Sequence, residues 1–224
     1  MVSSQGIMME MIDLEKGRFS WAFVLLFLVF FLLALPATAQ QDQDALEQYR
    51  QGNYARAAEI TLAEIQQNPN RIDAYVVLGW SMLALGNYSE AASWGEQALR
   101  ISRFDYRVLH ILAEAFSMLG NDEKTIKYAQ DYLAINPEGR LSVQMYYYLG
   151  NAFRRIGEYH HADIAFSTAL HYSPGEASWW VLLGNVREQA QRFSAAEEAY
   201  RQALLLQPQN SEAQQGLRRI SLQS

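Results

Sequence analysis

The sequence contains no cysteine. That excludes disulfides, thiolate metal sites, a cysteine nucleophile and a lipid-attached N-terminal cysteine. It also lacks any long basic run, and its formal net charge is -6, so nucleic acid is not an expected partner. A phosphate-binding glycine loop, a zinc-protease helix motif and a nucleophile elbow are all missing. His160-His161 is an adjacent pair, but neighbours on a helix diverge by about 100° and cannot readily share one metal. His110 and His171 are isolated, and the acidic pair Glu197-Glu198 reads as a solvated helix surface. The expectation is a protein that is not an enzyme, with no cofactor and no metal.

The N-terminus has a different character. Residues 1–20 are polar and carry Lys16 and Arg18 just before an apolar run. Trp21 to Leu35 is uncharged, Pro36 breaks the helix, and Ala37-Thr38-Ala39 places small residues at both recognition positions of a signal peptidase. This is the layout of a secretory signal peptide over residues 1–39. The run is short of the ~20 residues of a comfortable membrane span. An uncleaved membrane anchor is the alternative, and Met8, Met9 and Met11 are alternative starts. Either way the remainder is expected to be exported: periplasmic, or anchored in the inner membrane and facing the periplasm.

What the sequence does have is a repeat. Leu149-Gly150-Asn151-Ala152-Phe153 is followed by Gly157-Glu158-Tyr159, then Ala162, Phe166, Ala169-Leu170 and Pro174. Leu183-Gly184-Asn185, Phe193, Ala196, Tyr200, Ala203-Leu204 and Pro208 reproduce that skeleton 34 residues later. Apolar residues recur at helical spacing on both sides of Gly157, which closes the first helix by taking φ > 0, while Pro174 ends the second. A fixed period of this size marks an array of helix pairs.

These residues resemble the tetratricopeptide repeat (TPR) pattern: an aromatic, Leu-Gly, Gly-x-Tyr, Ala, an aromatic, Ala-Leu and Pro at fixed offsets. The resemblance implies an all-α, right-handed superhelical solenoid of helix-turn-helix units. Residues 40–71 form a truncated first unit with Ala45, Gly52, Tyr54, Ala57 and Pro69. Residues 72–105 form the second, in which Gly95 replaces the bulky aromatic and Trp94 is expected to supply the missing volume. Residues 106–142 form a divergent third unit, with Thr125, Ala129 and Tyr132 inverting the large-small order and a longer loop near 138–142. Residues 143–176 and 177–210 are the fourth and fifth; in the fifth, Gln191 stands in for the turn glycine. Residues 211–224 read as a capping helix and tail, with Ser211 as its N-cap.

In a TPR array the first helix of each pair lines the concave face. Positions offset by three or four from the core then form the candidate groove: Val76, Trp80 and Leu83; Arg107, His110, Glu114 and Ser117; Tyr147, Asn151 and Arg154; Val181, Asn185 and Glu188. Asn151 and Asn185 occupy equivalent places and resemble the peptide-contacting asparagine of many TPR domains. Tyr146 is expected in the core. The lysine and asparagine set of chaperone-tail clamps is absent, since Lys124 and Lys127 are the only lysines beyond residue 39. The resemblance implies a non-catalytic protein-protein interaction scaffold that binds a partner segment in its groove, in an envelope complex. The alternative is a periplasmic accessory subunit of a transporter that binds a small molecule or lipid. A protein or peptide is the expected partner, and a membrane is touched only through residues 1–39 if they stay attached.

Overall fold

The structure is a computed structural model, described over residues 44–222. The signal or anchor segment read from the sequence therefore lies outside the described residues. Those residues fold as successive antiparallel helix pairs with no strand among them. The pairs are α1 (Ala45–Arg50) with α2 (Tyr54–Gln67), α3 (Ile72–Ala84) with α4 (Tyr88–Ile101), and α5 (Tyr106–Met118) with α6 (Asp122–Ile135). Then come α7 (Ser142–Arg155) with α8 (Tyr159–Tyr172), α9 (Ala177–Gln189) with α10 (Phe193–Leu206), and a last helix α11 (Ser211–Ser221). No helix of the described residues is long and apolar enough to cross a membrane.

One turn chemistry joins the two helices of every pair. The residue after the turn donates its N–H to the carbonyl five residues back: Asn53 to Gln48, Asn87 to Met82, Asn121 to Phe116, Glu158 to Phe153 and Arg192 to Arg187. This closure needs a left-handed residue just past the helix. Gly52, Gly86, Gly120 and Gly157 supply it with φ of 71–83°. The fifth turn uses Gln191 at φ 58°, a conformation in which its Cβ crowds the backbone. Side chains cap four helix starts: Asp44 on α1, Asp105 on α5, Asn121 on α6 and Asn210 on α11. Asn210 accepts from the Ala213 amide, so the cap of the last helix is Asn210 and Ser211 is its first residue.

Packing within and between pairs is set by where a helix lacks a side chain. A Cβ on Gly150 would lie 2.7 Å from the Phe166 ring, and one on Gly184 would lie 2.5 Å from Tyr200. Gly216 of α11 presses on the other side of the Tyr200 ring. The second pair solves the same problem differently. Gly95 offers no ring, so Leu112 from the next pair fills the space above it, and Ile111 lies against Gly79. Trp94 does not supply that volume; it sits half-buried with its ring at an edge-on angle to Tyr75, 6.0 Å away. In the third pair Tyr132 is fully buried beside Ala129 and Thr125, and its ring meets the edge of Tyr106. In α7 the buried aromatic is Tyr148, with Met145 below it, while Tyr146 is half-buried at the margin of the core.

Helices adjacent in sequence pack together throughout. First helices also touch one another, α1 with α3, α3 with α5, α5 with α7 and α9 with α11, whereas second helices make no comparable contact. The stack is therefore tighter on the side of the first helices. They line its inner face and the second helices its outer face. Two substitutions of opposite sign test this packing. Gln191→Gly relieves the left-handed strain and should raise unfolding stability by about 1 kcal/mol. Gly184→Ala drives a methyl into Tyr200, which is wholly buried and cannot retreat, and should lower it by roughly 1–3 kcal/mol. Urea denaturation of both variants reads the difference.

Candidate binding face

Residues one period apart on the first helices form rows across the inner face. Trp80, Glu114, Asn151 and Asn185 occupy one row, each following the small residue at Gly79, Ala113, Gly150 or Gly184. Val76, His110, Tyr147 and Val181 occupy the next. Trp80 is half-buried, with its ring 5.8 Å from Tyr49 of α1. Tyr147 is half-buried and stacks on Trp179 of α9, with centroids 4.9 Å apart and planes 21° from parallel. Rings thus stand at both ends of the face, and the third pair interrupts them with the polar couple His110 and Glu114. Leu83 and Ser117 are half-buried at the ends of α3 and α5.

Several candidates are not free surface. Val76 and Val181 are 1% and 2% exposed, so both belong to the core rather than the groove. Small β-branched residues at this position sink between neighbouring first helices, where Tyr147 is too large to follow. Asn151 is also buried, and its amide donates to the Tyr147 carbonyl of its own helix. The Asn185 carbonyl oxygen accepts from the Tyr200 hydroxyl at 2.6 Å and from Arg219 at 3.4 Å. Both asparagines therefore spend hydrogen-bonding capacity inside the protein. Arg154 is half-buried, with its Nε enclosed and without a hydrogen-bond partner.

The charges of this face are largely satisfied in place. Arg107 makes ion pairs with Asp105 at 2.6 Å and with Asp73, 34 positions earlier, at 2.8 Å. Glu188 is held by Arg219 of α11 at 2.8 Å and accepts from the Tyr200 hydroxyl. The Arg219 guanidinium keeps the Glu188 carboxyl below the usual range, and burial together with Glu188 pushes the Tyr200 phenol up. The last helix thus closes the C-terminal end of the face. Glu114 differs: its neighbours are His110 Nε2 at 3.3 Å and the Tyr148 hydroxyl, and burial raises its pKa. Burial holds His110 neutral, with its pKa lowered to about 4 and its Nδ1 enclosed without a partner.

Tyr49, Tyr148, Trp179 and Arg219 contribute to this candidate face and were missed by the sequence pattern. Tyr49 lies in the truncated first unit, and Arg219 in a helix read only as a cap. Trp179 sits one step from the groove register, so only its stacking on Tyr147 reveals it. His160 and His161 are exposed at the start of α8, and the described residues contain no cluster of metal-ligating side chains. Several clefts open on the surface of the described residues, and two of them reach the second and third pairs. One of about 300 Å³ lies at the N-terminal end of the inner face, between Leu46, Val77, Trp80 and Arg107. The other, of about 760 Å³, lies between α4 and α6, with Arg103 and Phe104 on its rim.

Stacked helix pairs with an inner face of rings and paired charges define a helical-repeat protein. The chain belongs to the tetratricopeptide repeat family: that family's profile matches residues 44–106 and 147–213. TPR arrays are protein-interaction scaffolds. No curated protein matches the sequence. Among solved structures, MamA 41-end from Desulfovibrio magneticus RS-1 is similar, with a TM-score of 0.68 at 16% identity, over 80% of this chain and 99% of that one. YrrB, described as a TPR protein with an unusual peptide-binding site, gives 0.70 at 18%, over 78% and 88%. The Cut9-Hcn1 hetero-tetramer of APC/C gives 0.63 at 18%, over 79% of this chain and 35% of that one. At these identities the likeness is one of fold.

The His110 environment makes a pH prediction. Its folded pKa lies below the unfolded value, so between about pH 6.5 and 4 the unfolded chain binds a proton that the folded chain refuses. His110 therefore lowers stability progressively as pH falls through this window. Glu114, raised by burial, acts in the opposite sense and offsets part of the loss. Tyr148 and Tyr49 also face this couple and stay neutral throughout the window. His110→Gln should flatten the stability profile, removing on the order of 2 kcal/mol of acid destabilisation by pH 4.5. Thermal melts from pH 7 to pH 4.5 on both proteins measure it.

Proposed function

We propose that this chain is an exported, non-catalytic scaffold that holds a segment of a partner protein along the inner face of its superhelix, within an envelope complex. The observation that carries the reading is the pair of ring clusters, Tyr49 with Trp80 and Tyr147 with Trp179, standing half-exposed on a face whose ionic groups are mostly neutralised internally. Rings in such positions offer large apolar contact with little rotamer entropy to lose, which suits anchor positions in an interface. The satisfied charges between them add no repulsion and little desolvation cost when a segment lies across them. Peptide binding by YrrB, named as such, is consistent with this use of the fold. The apolar run over residues 21–35 and the small residues before Gln40 support export.

Site-specific crosslinking separates the inner face from the outer one. A photoreactive residue at Tyr147 or Trp179 should capture one and the same protein in cells, while the same group at Ile164, exposed on α8, should not. Equal capture from Ile164 would reject the inner face as the binding surface. Location is read independently by fusing alkaline phosphatase after Ser224. The fusion should be active in an envelope-bearing bacterium, and an inactive fusion overturns export.

A further inference from the structure

We propose that the centre of the inner face is a cation-binding notch: Glu114, set between Tyr49–Trp80 on one side and Tyr148–Tyr147 on the other, takes one lysine or arginine side chain of the partner segment. This rests on the inner-face reading and names the chemistry of its central contact. The first argument is charge. Of the carboxylates carried by α3, α5 and α9 on this face, Asp73 is matched by Arg107 and Glu188 by Arg219. Among the described residues no lysine or arginine forms an ion pair with Glu114; it faces an imidazole and a phenol. Its side chain is 30% exposed, so a group arriving along the face can reach it. A half-buried carboxylate with only neutral partners has lost hydration without gaining a counter-charge, and an incoming cation restores what was lost.

The second argument is the walls. Trp80 precedes Glu114 by one period and stands on the adjacent helix, with Tyr49 packed against it at 5.8 Å. Tyr49 lies close enough to Glu114 to feel its charge. On the opposite side the Tyr148 hydroxyl faces the carboxylate, and Tyr147 lies 6.0 Å from Tyr148 in turn. Aromatic faces attract cations through their quadrupole, and a carboxylate at the base of such walls selects a positive group over an apolar one. The aliphatic stem of lysine or arginine would lie along the half-exposed rings of Trp80 and Tyr147, with its charged head on Glu114 beside the buried Tyr148. The ring clusters on both sides call for apolar residues flanking that basic one. The acidic balance of the whole chain, net -6, favours the same sign of partner.

The test is a selection followed by a cycle. The full chain is panned against a displayed library of random dodecapeptides. Selected peptides should carry one lysine or arginine at a fixed position between apolar residues. By fluorescence anisotropy, Glu114→Gln should weaken such a peptide about tenfold. Replacing the peptide's basic residue by methionine should weaken binding by a similar factor on the unaltered protein, and by little on Glu114→Gln. The methionine peptide needs no altered protein, so the outcome survives a poorly folding variant. Tyr147→Ala separates the two readings. If it abolishes binding while Glu114→Gln and the methionine peptide bind as before, the groove stands and the notch is overturned. If neither protein variant matters, or no peptide is enriched, both are overturned.

Discussion

The architecture depends on close approach between helices at positions where one of them carries almost no side chain. At Gly150 and Gly184 a ring from the second helix of the same pair lies against the backbone of the first, closer than any Cβ would allow. At Gly79 and Gly95 the space is taken by Ile111 and Leu112 of the following pair. With no cysteine and no cluster of metal-ligating side chains among the described residues, this interdigitation and the buried apolar area behind it hold each pair to the next. Because each unit touches chiefly its neighbours, the array needs an end that tolerates water on one side. The last helix provides it. Gly216 packs on Tyr200, and Arg219 reaches back to Glu188.

The same packing shapes the inner face. The backbones of first helices approach closely at every junction except that of α7 with α9, while second helices make no comparable contact, which narrows the inner side. Small side chains in the inner rows, such as Val76 and Val181, are drawn into the seams and lost as contact surface. Large rings cannot be swallowed, so Trp80, Tyr147 and Trp179 remain half-exposed. The polar residues mostly bind one another across a period, as Arg107 binds Asp73. Only the third pair, with the most divergent sequence, leaves a carboxylate facing neutral neighbours. Divergence from the repeat pattern thus coincides with the Glu114 carboxylate, whose neighbours are an imidazole and a phenol.

The fold was legible because its signals are redundant. Glycine at the turn, proline after the second helix and paired small and large residues all recur at one spacing, and each constrains the same helix pair. The fifth turn shows how strong that register is: Gln191 adopts the left-handed conformation although glycine is absent. The candidate face was legible in part. Its register was readable, so Trp80, Tyr147 and Glu114 were placed on the correct helices. Which of those residues stay reachable was not. Asn151 and Asn185 look alike in the sequence, yet one bonds to its own helix and the other to Tyr200 and Arg219. Trp94 adjoins Gly95 in the sequence, yet Leu112 of the neighbouring pair fills the gap there.

By itself the sequence determined the helices, their pairing, the turns between them and the family, because local spacing and backbone conformation are written in adjacent residues. Exposure, charge pairing and the identity of the inner-face rings were decided only by tertiary structure. Each of those depends on residues 20 to 35 positions apart, brought together by stacking. Asp73 with Arg107, Tyr147 with Trp179 and Glu188 with Arg219 are such pairs. No local rule specifies which partner a side chain meets across that distance; the geometry of one pair against the next does.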